Sequence, residues 1–319
     1  MSEPTAPEAG STSAVPVAVR HDLAHVPLAP PSRTSGVLEV FRKRYLLRLM
    51  VRREIQARYA GTGFGLAWSY INPFTRFLTF YAVFGLLLGR GMGLENFAIH
   101  LFAGMVLVNY FSETVMSGTR SLLSNKGVIG KMALPREMFP VSSMLVSLWH
   151  TFPMLVILTI ACLTQHWWGD GHMWTPDLVG MGAALMGFVI VMLFGTAFGL
   201  MFACVNVMFR DFGRIVQTFI NMVPFSAPMM YPYWLTYERF PGFWHEIYLA
   251  NPVAEAVQLI QRGFWTPTCD PQCVTVPGMP EFAEDLYSRG FIMLGVGVLM
   301  LLLGQWVFSR LEKTVPERL

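Results

Sequence analysis

Six long apolar runs constrain this chain more than any other feature of its sequence. They cover approximately residues 68–89, 97–118, 141–164, 178–208, 215–234 and 290–309. Each is long enough for a helix to cross the roughly 30 Å hydrocarbon layer, which takes about 20 residues. The runs lack the alternation of polar and apolar residues that is typical of membrane β-barrels. The sequence therefore predicts an all-α polytopic membrane protein with six transmembrane helices.

The composition supports this prediction. Of the 319 residues, 13% are charged, against roughly a quarter in an ordinary soluble domain. The first 36 residues differ from the rest because they are rich in Pro, Ser, Thr and Ala, and they contain no apolar core of the kind found in a signal peptide. We expect residues 1–36 to form a disordered cytoplasmic tail.

The basic residues indicate which way the chain faces. Lys and Arg collect in cytoplasmic connections of membrane proteins. The cations gather before the first run, in the second and fourth connections and after the sixth run: Arg42, Lys43, Arg44, Arg48, Arg52, Arg53; Arg120, Lys126, Lys131, Arg136; Arg210, Arg214; Arg310, Lys313, Arg318. The third connection, residues 165–176, has none. We therefore expect a multi-pass protein of the plasma (inner) membrane, surrounded by membrane lipid, with both termini in the cytoplasm.

Two segments outside the six runs have a helical pattern. Residues 38–58 place apolar side chains on one stripe that arginines interrupt, which is typical of a helix lying on the cytoplasmic membrane surface; a short soluble helix is the alternative. Between runs five and six, Asn251-Pro252 begins a second helix-like stretch. There we expect short, re-entrant-like helices that dip into the outer leaflet. Cys269 and Cys273 follow, and they either form a disulfide in an oxidising outer compartment or remain free thiols.

Two charges lie inside apolar runs, where an unpaired charge costs about 2.5 kcal/mol or more. They are Arg76 in the first run and Glu113 in the second. One hypothesis is that Arg76 binds a phosphate of a lipid carrier. The alternative is that Arg76 reaches the cytoplasmic interface, or pairs with Glu113.

Aromatic side chains stand where they could line a path for sugars. Flat rings stack on sugar rings, and hydroxyl and indole N–H groups offer hydrogen bonds. With the two charges above, the candidate path residues are Trp68, Tyr70, Tyr81, Tyr110, Trp149 and Tyr231. An aromatic belt at the headgroups is the competing interpretation, and it is favoured for Tyr233 and Trp234. Gly195 and Gly199, four residues apart, predict close helix packing.

The chain has no recognisable ATP site and no metal-binding spacing. The segment from Gly127 to Lys131 superficially resembles a phosphate loop, but its glycines are too close together and no Ser or Thr follows the Lys. Energy must then come from a separate chain or from an ion gradient.

An ordered set of short motifs resembles the permease subunits of ABC-2 type exporters of cell-surface polysaccharides. The motifs are Arg53-Glu54 with Arg58-Tyr59, Gly65-Leu66-Ala67-Trp68, Asn72-Pro73, Leu134-Pro135-Arg136-Glu137, Phe209-Arg210-Asp211 and Asn251-Pro252. That family includes O-antigen, capsule, teichoic acid and galactan exporters. The likeness divides the chain into a tail (1–36), a cytoplasmic interface helix and turn (37–66), a six-helix ABC-2 transmembrane domain (67–311) and a second tail (312–319).

The resemblance implies a half-transporter that is not itself an enzyme. A second copy of the chain and two ABC ATPase subunits would be its partners, with ATP and Mg bound on the ATPase and no cofactor on this chain. The cargo would be a polyprenyl-pyrophosphate-linked polysaccharide; nucleic acid is not expected. The implied ATPase-coupling surface is Arg53, Glu54, Arg58, Tyr59, Lys126, Lys131, Pro135, Arg136 and Glu137.

Two other functions compete with polysaccharide export. An ABC-2 exporter of drugs or small lipids would have the same fold and a narrower path. A membrane-embedded glycosyltransferase would need an acid, base or nucleophile in an outer cleft. Glu238, His245 and Glu246 are the candidates for such a set, but their order fits no known arrangement, which favours their interpretation as solvated loop residues.

Overall fold

The computed structural model describes residues 36–59, 63, 65–87, 93–129, 134–168, 172–209, 211–240, 242–269 and 272–312. Helices dominate this part of the chain, and its single β pairing is an isolated bridge between Leu94 and Val274. The all-helical class predicted from the sequence is confirmed. Both predicted tails lie almost entirely outside the described residues.

The helices follow one another with short connections except after α11. The first seven are α1 (Val37–Arg42), α2 (Arg44–Tyr59), α3 (Trp68–Phe80), α4 (Phe97–Ser124), α5 (Lys126–Ile129), α6 (Met138–Trp168) and α7 (Leu178–Met208). The others are α8 (Phe212–Ser226), α9 (Tyr233–Arg239), α10 (Phe243–Leu249), α11 (Pro252–Phe264) and α12 (Leu286–Leu311).

Four of these helices are long and apolar enough to cross a membrane. Within the described ranges they are α4, α6, α7 and α12, which correspond to the second, third, fourth and sixth apolar runs. The first run forms the 13-residue α3, which contains Pro73 and continues as a π-helix over Tyr81–Leu87. The fifth run forms the 15-residue α8, a turn and the start of α9. The six-span arrangement thus stays a prediction for these two segments.

Helix α7 lies at the centre of the bundle, against α4, α11 and α12. Its contact with α4 is closest where two glycines meet: a Cβ placed on Gly118 would come within 2.7 Å of the Cα of Gly199. Small residues at such crossings allow two backbones to approach in a membrane. The close packing predicted for Gly199 is confirmed. This contact fixes the position of α4, which carries most of the polar residues described below.

Helix α2 packs on α6 at one end of the bundle. Val40 of α1 and Leu47 of α2 are buried in a small apolar cluster with residues of the first turns of α6, among them Met138 and Val141. Beyond this cluster, α2 is largely polar and carries several arginines. The last turn of α2 is therefore held beside α4 and α6. Its predicted location at the membrane surface remains a prediction.

Helix α11 is a buried helix between the fifth and sixth apolar runs. It begins as predicted at Asn251-Pro252, where the Asn251 side chain accepts a hydrogen bond from the backbone N–H of Val253 at 3.0 Å. Just beyond it, Trp265 donates its indole N–H to the backbone carbonyl of Glu95. A disulfide joins Cys269 to Cys273. The Trp265 hydrogen bond fixes this segment to the start of α4.

Candidate functional site

A polar cavity of about 1030 Å³ opens between α2, α3, α4, α6 and α8. Its walls carry amide, hydroxyl and charged groups although the surrounding helices are apolar. Its charged residues, among those described, are Glu54, Arg58, Arg76, Glu113 and Arg120. Three guanidinium groups and two carboxyl groups give a formal charge of +1, so the cavity favours an anionic or strongly polar ligand over a neutral apolar one.

Helix α4 supplies one wall of this cavity through a stripe of polar side chains. The stripe comprises Asn109, Ser112, Glu113, Ser117, Arg120, Ser121 and Ser124. Spacings of three and four residues place such side chains on one helix face. The opposite face of α4 is apolar and buried, with Leu107 and Val115 almost fully enclosed. Burial of the apolar face therefore turns the polar stripe towards the cavity.

An ion pair joins the last turn of α2 to this wall. Nη1 of Arg58 donates a hydrogen bond to Oε1 of Glu113. The two side chains are 39% and 30% exposed, so the pair sits where the cavity meets solvent. Exposed pairs contribute up to about 1 kcal/mol, whereas loss of one partner from a desolvated pair costs more. Arg58 thus links the N-terminal helix segment directly to the cavity.

Arg76 has a different kind of partner. Its Nη1 donates to Oδ1 of Asn109 at 3.1 Å. The pairing of Arg76 with Glu113 that the sequence left open is not formed in the described structure, because Glu113 contacts Arg58 instead. A neutral amide does not cancel the charge of a guanidinium. Arg76 therefore retains a positive charge that faces the cavity.

A hydrogen bond from a guanidinium to an amide connects α4 to α8 on the far side of the cavity. Arg120 donates to Oε1 of Gln217 at 3.4 Å, and Nε2 of Gln217 donates to Oδ1 of Asn221 at 3.1 Å. Primary amides both donate and accept hydrogen bonds. This side of the cavity can bind hydroxyl groups in either direction.

Glu54 lies one turn before Arg58 on α2, and it contacts α6. Ser142 and Ser143 donate hydrogen bonds to its two carboxylate oxygens, at 3.2 and 3.1 Å. Burial raises the pKa of Glu54 above its ordinary value, although the serine hydroxyls and Arg58 act in the opposite direction. The end of α2 is thus attached to α4 through Arg58 and to α6 through Glu54.

The aromatic residues predicted for a sugar path are scattered. Trp68 lines the cavity. Tyr110 is fully buried in the core and stacks on Phe188, with ring centroids 4.8 Å apart. Trp149 is 57% exposed on the outer surface of the bundle.

The three other tyrosines of the predicted path are not among the residues that line the described cavity. Tyr81 stacks between Phe77 and Phe97, and Tyr70 is partly buried on α3. The Tyr231 hydroxyl donates to the backbone carbonyl of Phe225. Of the predicted path residues, the structure brings Trp68, Arg76 and Glu113 together, and amides and hydroxyls outnumber aromatic rings around them.

The predicted ATPase-coupling surface divides into exposed and internal residues. Arg53 is exposed on α2, which ends at Tyr59, and Lys126 is exposed at the start of α5. Glu54 and Arg58 face the cavity, as described above. Lys131 lies outside the described residues.

The remaining members of that predicted surface precede α6 and turn inward. Pro135 is buried, and Glu137 is fully buried with its Oε1 accepting a hydrogen bond from Nε2 of Gln305 at 3.1 Å. Arg136 donates to the backbone carbonyl of Glu312 at 2.6 Å. These residues join the connection before α6 to the end of α12.

The sequence-based prediction did not include several cavity residues. Asn109, Arg120, Gln217 and Asn221 all line it. A signal for Asn109 existed, because an amide four residues before a carboxylate in an apolar run marks a polar helix face. The contact between α4 and α8 had no comparable signal.

Comparison with known proteins gives two findings. Residues 45–265 match the family described as ABC-2 type transporter. Three relatives are each named O-antigen export system permease protein RfbA. The one from Myxococcus xanthus is 26% identical over 196 residues, which is 61% of this chain and 72% of the relative. Two from Klebsiella pneumoniae are 24% and 23% identical over 257 and 256 residues, in each case 79% of this chain and 89% of the relative.

Proposed function

We propose that this chain, which belongs to the ABC-2 type transporter family, is the membrane-spanning half of an ATP-driven exporter of a lipid-linked cell-surface polysaccharide. The cargo is an O-antigen-like or galactan-like polymer on a polyprenyl pyrophosphate carrier, and it moves from the cytoplasmic to the outer face. The observation that carries the proposal is Arg76, a cation with a neutral hydrogen-bond partner that faces a polar cavity within an apolar bundle.

The chemistry of the cavity supports this cargo in two ways. A phosphate is an acceptor for guanidinium groups, and a charge-assisted hydrogen bond is stronger than a neutral one. The amide and hydroxyl groups of α4 and α8 suit the many hydroxyls of a sugar. A glycan attached through a pyrophosphate carries both kinds of group. The names of the relatives point in the same direction.

The remaining parts of the proposal concern topology and partners. α3 with its π-helical continuation and α8 are the first and fifth of six spans, and both termini are on the cytoplasmic side of the inner membrane. α2 is an interface helix, and α9 to α11 lie in the outer leaflet as re-entrant-like helices. A second copy of the chain completes the path. Two separate ABC ATPase subunits bind ATP and Mg and drive the movement.

The test is export by the purified permease with its partner ATPase in lipid vesicles. The cargo is a polyprenyl-pyrophosphate-linked oligosaccharide, and its transfer across the bilayer is measured with and without ATP. We expect transfer only with ATP and only with both subunits. Transfer without an ATP-hydrolysing partner would contradict the proposal, and transfer of drugs or small lipids in place of the glycan would favour a different ABC-2 exporter.

Replacement of Arg76 tests the site itself. Arg76→Gln removes the charge but retains donor groups, and we expect the affinity for the carrier-linked cargo to fall about tenfold to a hundredfold, since a hydrogen bond to a charged group contributes about 1.5–3 kcal/mol. Arg214→Gln is the matched control, because that side chain is 89% exposed on α8 and does not line the cavity. Equal affinity of the Arg76→Gln variant and the wild type would refute the role of Arg76.

A further inference from the structure

Three charged side chains at the cavity, Arg58, Arg76 and Glu113, come from α2, α3 and α4. Glu113 is paired with Arg58 of α2, while Arg76 of α3 contacts Asn109. Asn109 and Glu113 are four residues apart on the same face of α4, so their Cβ atoms are about 5–6 Å apart. Glu113 therefore stands one helical turn from the position where Arg76 already binds α4.

Arg58 is the group that neutralises Glu113 in this arrangement. Among the ion pairs of the described residues, the one that contains Glu113 is formed with Arg58. Removal of one partner from a partly desolvated pair leaves the other charge uncompensated, which is costly. If α2 moves away from α4, Glu113 must bind another cation or take up a proton.

Arg76 is a cavity cation that already contacts α4 one helical turn from Glu113. Its contact with Asn109 is a hydrogen bond to a neutral amide at 3.1 Å, which an ionised carboxylate on the next turn can outcompete. The two acceptors lie one helical turn apart, about 5.4 Å along α4, and this is the distance that the Arg76 guanidinium has to cover. The same positive charge then serves two alternative partners, an anion in the cavity or Glu113.

We propose that Glu113 exchanges partners, from Arg58 to Arg76, when α2 withdraws, and that this exchange displaces the phosphate from Arg76. While α2 is docked, Arg58 occupies Glu113 and Arg76 is free to bind the anion. When α2 is displaced, Glu113 competes with the anion for Arg76 and weakens its binding. The inference rests on the proposed function because it takes the ligand of Arg76 to be the carrier pyrophosphate. It identifies Arg58 and Glu113 as positioning residues for release.

Two attachments make α2 suitable for this control. Glu54 joins it to Ser142 and Ser143 of α6, and Arg58 joins it to Glu113 of α4. Both contacts involve the last two turns of α2, whereas its first turns pack on α6 through apolar side chains. A tilt of α2 about that apolar cluster would break the polar contacts first.

Binding measurements on the permease–ATPase complex without nucleotide test the exchange. The probe is a short-chain polyprenyl pyrophosphate, with the corresponding polyprenol as a control for binding through the lipid alone. We expect Arg58→Gln to weaken probe binding at least about tenfold, because Glu113 then occupies Arg76 permanently. We expect Glu113→Gln to bind as tightly as the wild type or more tightly. The double variant Arg58→Gln/Glu113→Gln should regain the affinity that Arg58→Gln loses.

The two single substitutions are expected to change the affinity for the probe in opposite directions, and this distinguishes the exchange from a purely structural role. If the ion pair merely stabilised the fold, both variants would weaken binding, and the double variant would not recover. Arg58→Lys, which keeps the charge, should bind the probe as the wild type does. Glu246→Gln is the control for loss of an ion pair elsewhere, since Glu246 pairs with Arg289 away from the cavity lining, and its affinity should not change.

Export by the Glu113→Gln variant provides the second readout. With no carboxylate to claim Arg76, the cargo is bound but poorly released, so we expect export to fall at least about fivefold while ATP hydrolysis continues. Normal export by this variant would overturn the inference. Failure of the wild type to bind the probe would instead overturn the proposed function. If Arg76→Gln loses probe binding while Arg58→Gln binds the probe as the wild type does, the exchange alone is overturned.

Discussion

Replacement of Gly118 by alanine tests the close crossing of α4 and α7. Gly118 of α4 faces Gly199 of α7, and a Cβ at position 118 would lie 2.7 Å from the Gly199 Cα and 3.4 Å from its carbonyl carbon. Both atoms belong to a backbone, so no side-chain rotation can relieve the contact. The two helices must separate.

The size of the effect follows from these distances. Carbon atoms at optimal separation are about 3.5–4.0 Å apart, so α4 and α7 must move by about 1 Å at the crossing. Overpacking of this kind costs about 1–3 kcal/mol. The helix propensity of alanine exceeds that of glycine by about 1 kcal/mol in soluble hosts and offsets part of the cost. We therefore expect Gly118→Ala to lower the free energy of unfolding by up to about 2 kcal/mol, and by about 1–3 kcal/mol relative to an alanine substitution without overpacking.

Two other glycines provide graded controls. At Gly199, an added Cβ would meet the Gly118 Cα at 3.4 Å, which is a smaller conflict. At Gly182, also on α7, an added Cβ meets no heavy atom within 4 Å. The expected order of stability after substitution by alanine is Gly182→Ala, then Gly199→Ala, then Gly118→Ala, with the first equal to or above the wild type.

Reversible unfolding in mixed detergent micelles provides the measurement. Helix content is followed by circular dichroism as dodecyl sulfate is added, and the free energies of the variants are compared at one detergent composition. Equal stability of Gly118→Ala and Gly182→Ala would refute the reasoning, because the two differ only in what the new methyl group meets.

Two further predictions concern ionisation and thiol reactivity. Burial raises the pKa of Glu54, so the folded protein holds that proton more tightly than the unfolded chain, and the free energy of unfolding falls as pH rises from about 4.5 through the folded pKa. Glu54→Gln should remove this part of the fall in unfolding titrations between pH 4 and 8. Identical pH slopes for the variant and the wild type would contradict this prediction. A maleimide should label no cysteine of the folded protein until a reductant opens the Cys269–Cys273 bond. After reduction we expect one thiol, that of Cys269, to react, since Cys162, Cys204 and Cys273 are buried. Labelling before reduction, counted by mass spectrometry, would show that the bond is absent.

Helix positions were predictable because lipid imposes a length and a composition on each span. The fourth apolar run was predicted at 178–208, and the structure forms α7 over Leu178–Met208. The predicted end of the second run was too early, because α4 continues to Ser124. Its polar last turns belong to the cavity wall rather than to the apolar run, so hydropathy alone could not extend the helix to them. The start of α11 was predictable because Asn251 and Pro252 act locally.

The cavity was only partly predictable because its partners come from distant parts of the chain. Charges at Arg76 and Glu113 were visible within apolar runs, but the partner of Glu113 is Arg58, 55 residues away in sequence. Tyr110 was predicted to line the path, but it lies in the core. An aromatic residue in a span looks the same in sequence whether it lines a path or, as here, stacks in the core.

The inward-facing residues before α6 have a mechanical consequence. Arg136 bonds to the backbone carbonyl of Glu312 and Glu137 to Gln305, so two regions about 170 positions apart in sequence are hydrogen-bonded to each other. We expect a displacement of the residues just before α6 to displace the end of α12 as well. Shortening the chain so that it ends before Glu312 would therefore remove the acceptor of Arg136, although that end of α12 does not line the described cavity.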